Sequence, residues 1–195
     1  MPAVIRWRPL IDRLRRSEIA GGCEDAHMDD AAVDGRSRAR DIMDAQDGTG
    51  PVAILDLDGS LDVLRRSRRI AIVGASPDPG RPSHGVMRYL QHHGYECVPI
   101  NPNARDILGV RAYGTLEEAV RHGGRFDIVD VFRRPEHAVE VARSAVATGA
   151  STLWMQLGVV DWEAAQIASE AGLTVVMDRC TAMDHRRLRA QSQTR

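Results

Sequence analysis

From residue 61 onward, apolar residues arrive in short runs separated by stretches of helical spacing. The run cores IAIV, DIVDVF, TLWM and LTVVM lack the apolar-polar alternation of a strand with one face in water, so both faces are to be covered. This pattern predicts strands at Arg69–Ala75, Tyr95–Ile100, Phe126–Phe132, Ser151–Gln156 and Leu173–Met177. Between them, a helix from about Pro82 to His93 presents Val86, Met87 and Leu90 on one side and stops at Gly94. Thr115 and Glu118 make a capping box for a short helix ending near Gly123. Pro135 opens a helix whose Ala138, Ala142, Ala145 and Val146 share a face, with Gly149 as its stop. Asp161 caps a last helix through Ala171, which Gly172 ends. Five strands alternating with four helical segments predict a doubly wound, five-stranded parallel α/β sheet of Rossmann-like type. Any ligand then lies at the carboxyl ends of the strands.

The chain before this pattern differs in texture. Residues 1–60 read as a poorly structured N-terminal extension, 61–188 as the folded domain and 189–195 as a C-terminal tail. LDVLRRSRR forms a short helix feeding the first strand. WRPLIDRLRRSEIA has the look of a short amphipathic helix, and its Asp12 and Glu18 argue against a transit peptide. VAILDLDGS imitates the D-x-D-G-T turn of haloacid dehalogenase type phosphotransferases. Those enzymes also need a downstream Lys, and this chain has none, so Asp58 and Gly59 are read as a turn before the Leu61 helix.

Composition narrows the function classes. The 195 residues, 43% of them hydrophobic, suffice for one core, and a net charge of -1 with mixed signs lacks the field that draws proteins to nucleic acid or anionic membranes. All basic residues are Arg, whose forks suit bidentate phosphate contacts. Cys23, Cys97 and Cys180 are odd in number and lack metal-ligand spacing, which fits a reducing cytoplasm and argues against a disulfide framework or zinc site. No run approaches the ~20 apolar residues of a membrane span.

Candidate chemistry concentrates in the turn after the first strand, GASPDPGRPS. Backbone N–H groups at a helix N-terminus favour an anion, so the turn is read as a phosphate site, with a plain strand-to-helix turn as the alternative. A dinucleotide fits poorly. Ser76 stands where the G-x-G-x-x-G fingerprint has its second glycine, and the second strand ends in Asn101 and Pro102 instead of the carboxylate that binds an NAD ribose. The predicted rim holds Arg81, Arg105, Arg133 and Arg134, with Phe132 and Trp154 as apolar surfaces. Arg133 is preferred to Arg134 as a ligand contact, and Trp154 is read as core. Gln156, a polar group ending a buried strand, needs a partner.

In order along the chain, IVGASPDPGRPSHGVMRYLQHHGYECVPINP, DIVDVFRRPEHA, LWMQLGVV and VVMDRC resemble the small stand-alone CoA-binding domain proteins of bacteria. More distantly, they resemble the nucleotide-binding domain of the succinyl-CoA synthetase α subunit. The resemblance covers roughly residues 61–188. It implies that Gly74, Ser76, Arg81 and Ser83 wrap the phosphates of CoA. By the same resemblance Asn101 and Pro102 border the adenosine or pyrophosphate, Phe132 and Arg133 line the third loop, and Gln156 and Gly158 close the pantetheine side. Cys180, at the end of the last strand, is placed either to face the CoA thiol or as a small buried hydrophobe.

No nucleophile with a base, carboxylate pair or metal cluster emerges from these loops, and His84, His92, His93, His122 and His137 read mainly as surface residues. His185 falls in the tail without a role. The leading expectation is a CoA or acyl-CoA binding protein, non-catalytic by itself, with a second copy or an ATP-grasp protein as possible partner. The alternatives are a subunit of an ATP-dependent acyl-CoA synthetase-type complex and, behind it, an NAD(P)-dependent oxidoreductase.

Overall fold

The structure is a computed structural model that describes residues 39–193. The amphipathic N-terminal stretch, Cys23 and the last two residues lie outside them. Helix α1 (39–46) is followed by α2 (Leu57–Arg66), strand β1 (Arg69–Val73) and helix α3 (Pro82–His92). Strand β2 (Glu96–Ile100) leads into a small hairpin of β3 (Asp106–Ile107) and β4 (Val110–Arg111). Helix α4 (Leu116–Gly123), strand β5 (Ile128–Val131) and a 3-10 turn (Pro135–His137) running into α5 (Ala138–Ala147) come next. Strand β6 (Thr152–Met155), helix α6 (Trp162–Glu170), strand β7 (Thr174–Val176) and helix α7 (Thr181–Gln193) complete the chain.

The main sheet is parallel throughout, in the order β2-β1-β5-β6-β7. The chain moves outward from β1 to β2, then crosses back to β5, so the connections diverge between β1 and β5. The crevice for a ligand opens at the carboxyl ends of those two strands. Side chains of opposite parity feed two cores. Ala71, Val73, Val129, Val131, Leu153 and Met155 pack with α4, α5 and α6. Ile70, Ile72, Ile128, Trp154 and Val176 pack with Leu61, Leu64, Met87, Leu90 and Leu188 of α2, α3 and α7. This two-sided burial is why the strands show no alternation in sequence.

The predicted caps form. Thr115 accepts from the Glu118 N–H at 3.1 Å, and Asp161 accepts from that of Ala164 at 2.8 Å. Glu118 reaches back to the Gly114 N–H, one residue earlier than a capping box has it.

Two boundaries are corrected. The folded unit begins before residue 61: Asp56 caps α2 by accepting from the Gly59 N–H at 2.9 Å, so Asp58 and Gly59 belong to the first helical turn. Ahead of it, Ala45, Val52 and Ile54 are buried in the main core, and the Leu55 N–H donates to the Val175 carbonyl at 2.8 Å, covering the open edge of β7. This segment was missed because its few apolar residues show no period. The C-terminal boundary also shifts, because α7 runs through Gln193 and buries Asp184, His185 and Leu188. His185 is thus a structural residue, its Nδ1 3.1 Å from the Tyr89 hydroxyl and its ring edge-on to Tyr89, His93 and Tyr95. Burial, then the neighbouring His93 and Arg189, hold it below the usual imidazole range.

The docking of residues 52–55 is testable. Ile54→Ala is expected to cost about 2 to 4 kcal/mol of stability by leaving a core cavity. Urea unfolding of the full chain measures it, and a loss below about 0.5 kcal/mol, the range of surface changes, would mean that Ile54 does not pack in the core.

Candidate functional site

A cavity of about 830 Å3 opens at the carboxyl ends of β1, β5, β6 and β7. Its first wall is the turn from β1 into α3. Gly74 has φ +84°, and a Cβ there would stand 3.2 Å from the Phe132 backbone and from Arg133 Cδ, so only glycine lets the two loops meet this closely. The α3 N-terminus has Arg81 at its cap, its side chain not capping the helix but 3.9 Å from Asp78, and Pro82 in its first turn, with no acidic residue in that turn. The positive end of the helix dipole thus faces the cavity beside Arg81 and the buried Ser83. Ser76 also lines this wall, and its carbonyl lies 3.3 Å from His84 Nδ1.

Asn101 joins the second wall, where its polar atoms are already engaged. Nδ2 donates to the Ala75 carbonyl at 2.7 Å, and Oδ1 accepts from the Asn103 N–H at 2.8 Å. Its work is therefore to brace the β2 loop against the β1 turn. Phe132, Arg133 and Arg134 come from the β5 loop. Both arginines reach the cavity, though Arg134 is drawn toward Glu136 at 3.5 Å.

The far wall is built by Gln156, Leu157, Gly158 and Cys180. The Gly158 N–H donates to Asp178 Oδ1 at 2.7 Å, and Asp178 itself has φ +54°. Gln156 Nε2 donates to both oxygens of Asp130, at 2.8 and 3.0 Å, and to Thr181 Oγ1 at 2.8 Å. Burial pushes the Asp130 carboxyl up to about 7, with the hydrogen bonds from Gln156 and Thr181 opposing that rise. Cys180 is a half-buried free thiol. Trp154 is fully buried, its Nε1 donating to the Arg179 carbonyl, as its apolar strand predicted.

Pro102 lines a different, adjoining cavity of about 330 Å3, which shares Gly74, Ile100, Arg133 and His137 with the larger one. Glu117 and Glu140 stand on its α4 and α5 sides. Burial raises the Glu117 carboxyl, but its own backbone N–H, the hydroxyls of Ser144 and Thr115, and Arg121 outweigh this and hold it below the usual range.

Ten of the eleven anticipated residues therefore line one cavity and the eleventh its neighbour, while Arg105 reaches neither. Sequence reasoning missed Asp130, Thr181, Asp178 and the cavity-lining His137 and Leu157. Asp130 did leave a signal, since a carboxylate inside the apolar run DIVDVF requires a buried partner. Among the described residues no group of three or more His, Cys, Asp or Glu is placed to hold a metal, and no helix is long and apolar enough to cross a membrane.

Comparison with known proteins agrees with this geometry. Residues 68–186 match the CoA binding domain family. Uncharacterized protein YneT of Bacillus subtilis (strain 168) is 44% identical over 124 residues, 64% of this chain and 90% of its own length. A hypothetical protein from Pyrococcus horikoshii OT3 is 36% identical with a TM-score of 0.65, over 69% of this chain and 92% of that one. The dinucleotide forming acetyl-coenzyme A synthetase 1 of Ca. Korarchaeum cryptofilum shares the fold, at 21% identity and TM-score 0.53, with 60% of this chain covering 28% of that one. With the family matched across the whole sheet and a curated relative matched over nearly its full length, this chain belongs to the CoA binding domain family.

Proposed function

We propose that this protein binds CoA or an acyl-CoA and performs no chemistry of its own, with the ligand's phosphates at the turn between β1 and α3. The observation that carries this reading is the meeting of an acid-free helix N-terminus with Arg81 and Arg133 in a cavity of about 830 Å3. Ligand pockets usually span roughly 300–1,000 Å3. Helix N-termini and guanidinium forks are the two protein features best suited to phosphate oxygens.

Charge orients the ligand along the crevice. The ionised Glu117 beside the smaller cavity repels phosphate, so that cavity takes the adenine base, bordered by Pro102 and Leu116. The pyrophosphate then lies at Ser76 and Arg81, and the pantetheine arm runs toward Gln156, Gly158 and Cys180. Two free thiols among the described residues, Cys97 and Cys180, suit a reducing cytoplasm.

The subunit alternative draws on the fold shared with an acetyl-coenzyme A synthetase, of which this chain covers 28%. In that reading a separate ATP-grasp chain supplies the chemistry. Copurification with such a chain, together with CoA-dependent ATP turnover by the pair, would favour it.

Calorimetric titration of the purified chain with CoA, acetyl-CoA, NAD and ATP tests the main proposal. CoA or acetyl-CoA is expected to bind most tightly, weakening about tenfold in Arg81→Ala through loss of a charge-assisted hydrogen bond. Ser76→Ala should weaken it in the same direction. Preferential binding of NAD would overturn the proposal.

Gly74→Ala is a more severe change. Its positive φ strains any L residue, and a methyl group 3.2 Å from Phe132 would force the loops apart by a few tenths of an ångström. A stability loss of about 1 to 3 kcal/mol is expected in thermal unfolding, with CoA binding abolished. Unchanged binding would mean that the loops can separate without cost.

A further inference from the structure

Asp130 is fully buried in the central strand, and among the described residues its hydrogen-bonding partners are neutral. Its registered neighbours on β1 and β6 are Ile72 and Trp154. The polar groups facing it are Gln156 at the end of β6 and Thr181 at the start of α7, whose hydroxyl donates to Asp130 Oδ2 at 2.9 Å.

An amide nitrogen has two hydrogens, and those of Gln156 are both committed to this cluster. Gln156 Oε1 accepts from none of the described groups. Nor is it sealed away, since Arg69 Nε is the one described side-chain atom buried without a partner. Gln156 lines the larger cavity, and with Nε2 turned to Asp130 and Thr181, Oε1 is the end of the amide left for it.

We propose that Asp130 is a positioning residue that decides which end of the Gln156 amide faces the ligand. Ionised, Asp130 accepts from Nε2, and the cavity is presented with a carbonyl acceptor. Once Asp130 takes a proton from solvent, its new O–H donates to Oε1, the amide turns, and Nε2 faces outward instead. An acceptor at this wall suits a ligand arm that carries N–H groups, as the amides of a pantetheine chain do. The inference rests on the CoA reading above and adds to it a proton-dependent selection of the ligand's polar arm.

The titration falls in a useful range, because burial brings the Asp130 carboxyl up to about 7. Among the described residues, Cys97 of β2 feels the Asp130 charge. Burial first, and then the Asp130 charge, push that thiol up to about 12, so it stays neutral throughout.

Raising a carboxyl in the folded state also fixes the sign of its effect on stability. The contribution is present below the unfolded value of about 4 and lost as pH rises through about 7. Asp130→Asn is expected to remove that slope.

The test uses the full chain and 3′-dephospho-CoA, because the 3′-phosphate of CoA itself titrates near pH 6. Affinity measured from pH 8.5 to 5.5 should fall about tenfold, the worth of one ligand hydrogen bond, and Asp130→Asn should bind without that dependence. Gln156→Met should lose the affinity gained at high pH. Independently of any ligand, the Gln156 side-chain NH2 resonances of the free protein should shift with a midpoint near 7. A static Gln156 signal would overturn the inference, as would a slope that survives in Asp130→Asn. Failure of CoA and its dephospho form to bind at any pH, with the Gln156 signal still titrating, would instead remove the CoA reading and leave the Asp130–Gln156 coupling in place.

Discussion

The approach of the Gly74 backbone to the Phe132 backbone is the contact on which the site depends. β1 and β5 are neighbours in the sheet whose connections leave in opposite directions, so their following loops would splay apart and leave a shallow notch. The 3.2 Å spacing that a Cβ would have at residue 74 shows how closely the two loops are drawn together. Arg133 is carried by that contact, and its position on both cavities follows from it. A side chain at residue 74 would push Arg133 away from both the proposed phosphate position and the proposed base position.

Most of the polar atoms around this crevice serve the scaffold. Asn101 spends both ends of its amide holding one loop to another, Asp178 spends a carboxylate oxygen on the Gly158 N–H, and Gln156 spends its amino group on Asp130 and Thr181. Such bonds order the loops before any ligand arrives, which lowers the entropy cost of binding. What remains to meet a ligand is a short set: the hydrogen of the Ser76 hydroxyl, whose oxygen accepts from the Asp78 N–H at 3.2 Å, the α3 N-terminus, the exposed guanidinium groups and one carbonyl oxygen of Gln156. The family resemblance drew Asn101, Gln156 and Gly158 into the site by location. Their hydrogen bonds also shape the loops, and Gln156 keeps its carbonyl oxygen for the cavity.

The sheet, its parallel sense and the loops that bear the site were legible because they follow from local rules. Buried strands read as unbroken apolar runs, Thr115 and Asp161 announce helix starts, and Gly74 marks a turn. Three things were not legible, each for a physical reason. The segment holding Val52 and Ile54 covers a sheet edge with two or three residues, too few to make a period. Helix α7 exposes Arg186, Arg187, Arg189 and a polar last turn and buries Asp184 and His185, so its pattern resembles that of a solvated tail. The partners of Asp130 are 26 and 51 residues away in sequence, a pairing that strand order alone creates.

Burying Asp130 without a cation is costly, since a carboxylate removed from water loses hydration that two neutral donors replace only in part. An apolar residue at 130 would pack against Ile72 and Trp154 at no such cost, and it would free Gln156 to rotate. Asp184 offers the contrast within the same protein. It is equally hidden, yet Arg179 holds both its oxygens at 2.7 and 3.0 Å, the arrangement expected where a buried acid serves stability alone. Among the described residues Asp130 has no such counter-ion, and it lies directly behind a cavity wall. Its partners Gln156 and Thr181 are, respectively, a lining residue and the next residue after one, Cys180. A buried acid in this position is better explained by its control of that wall than by any contribution to the core.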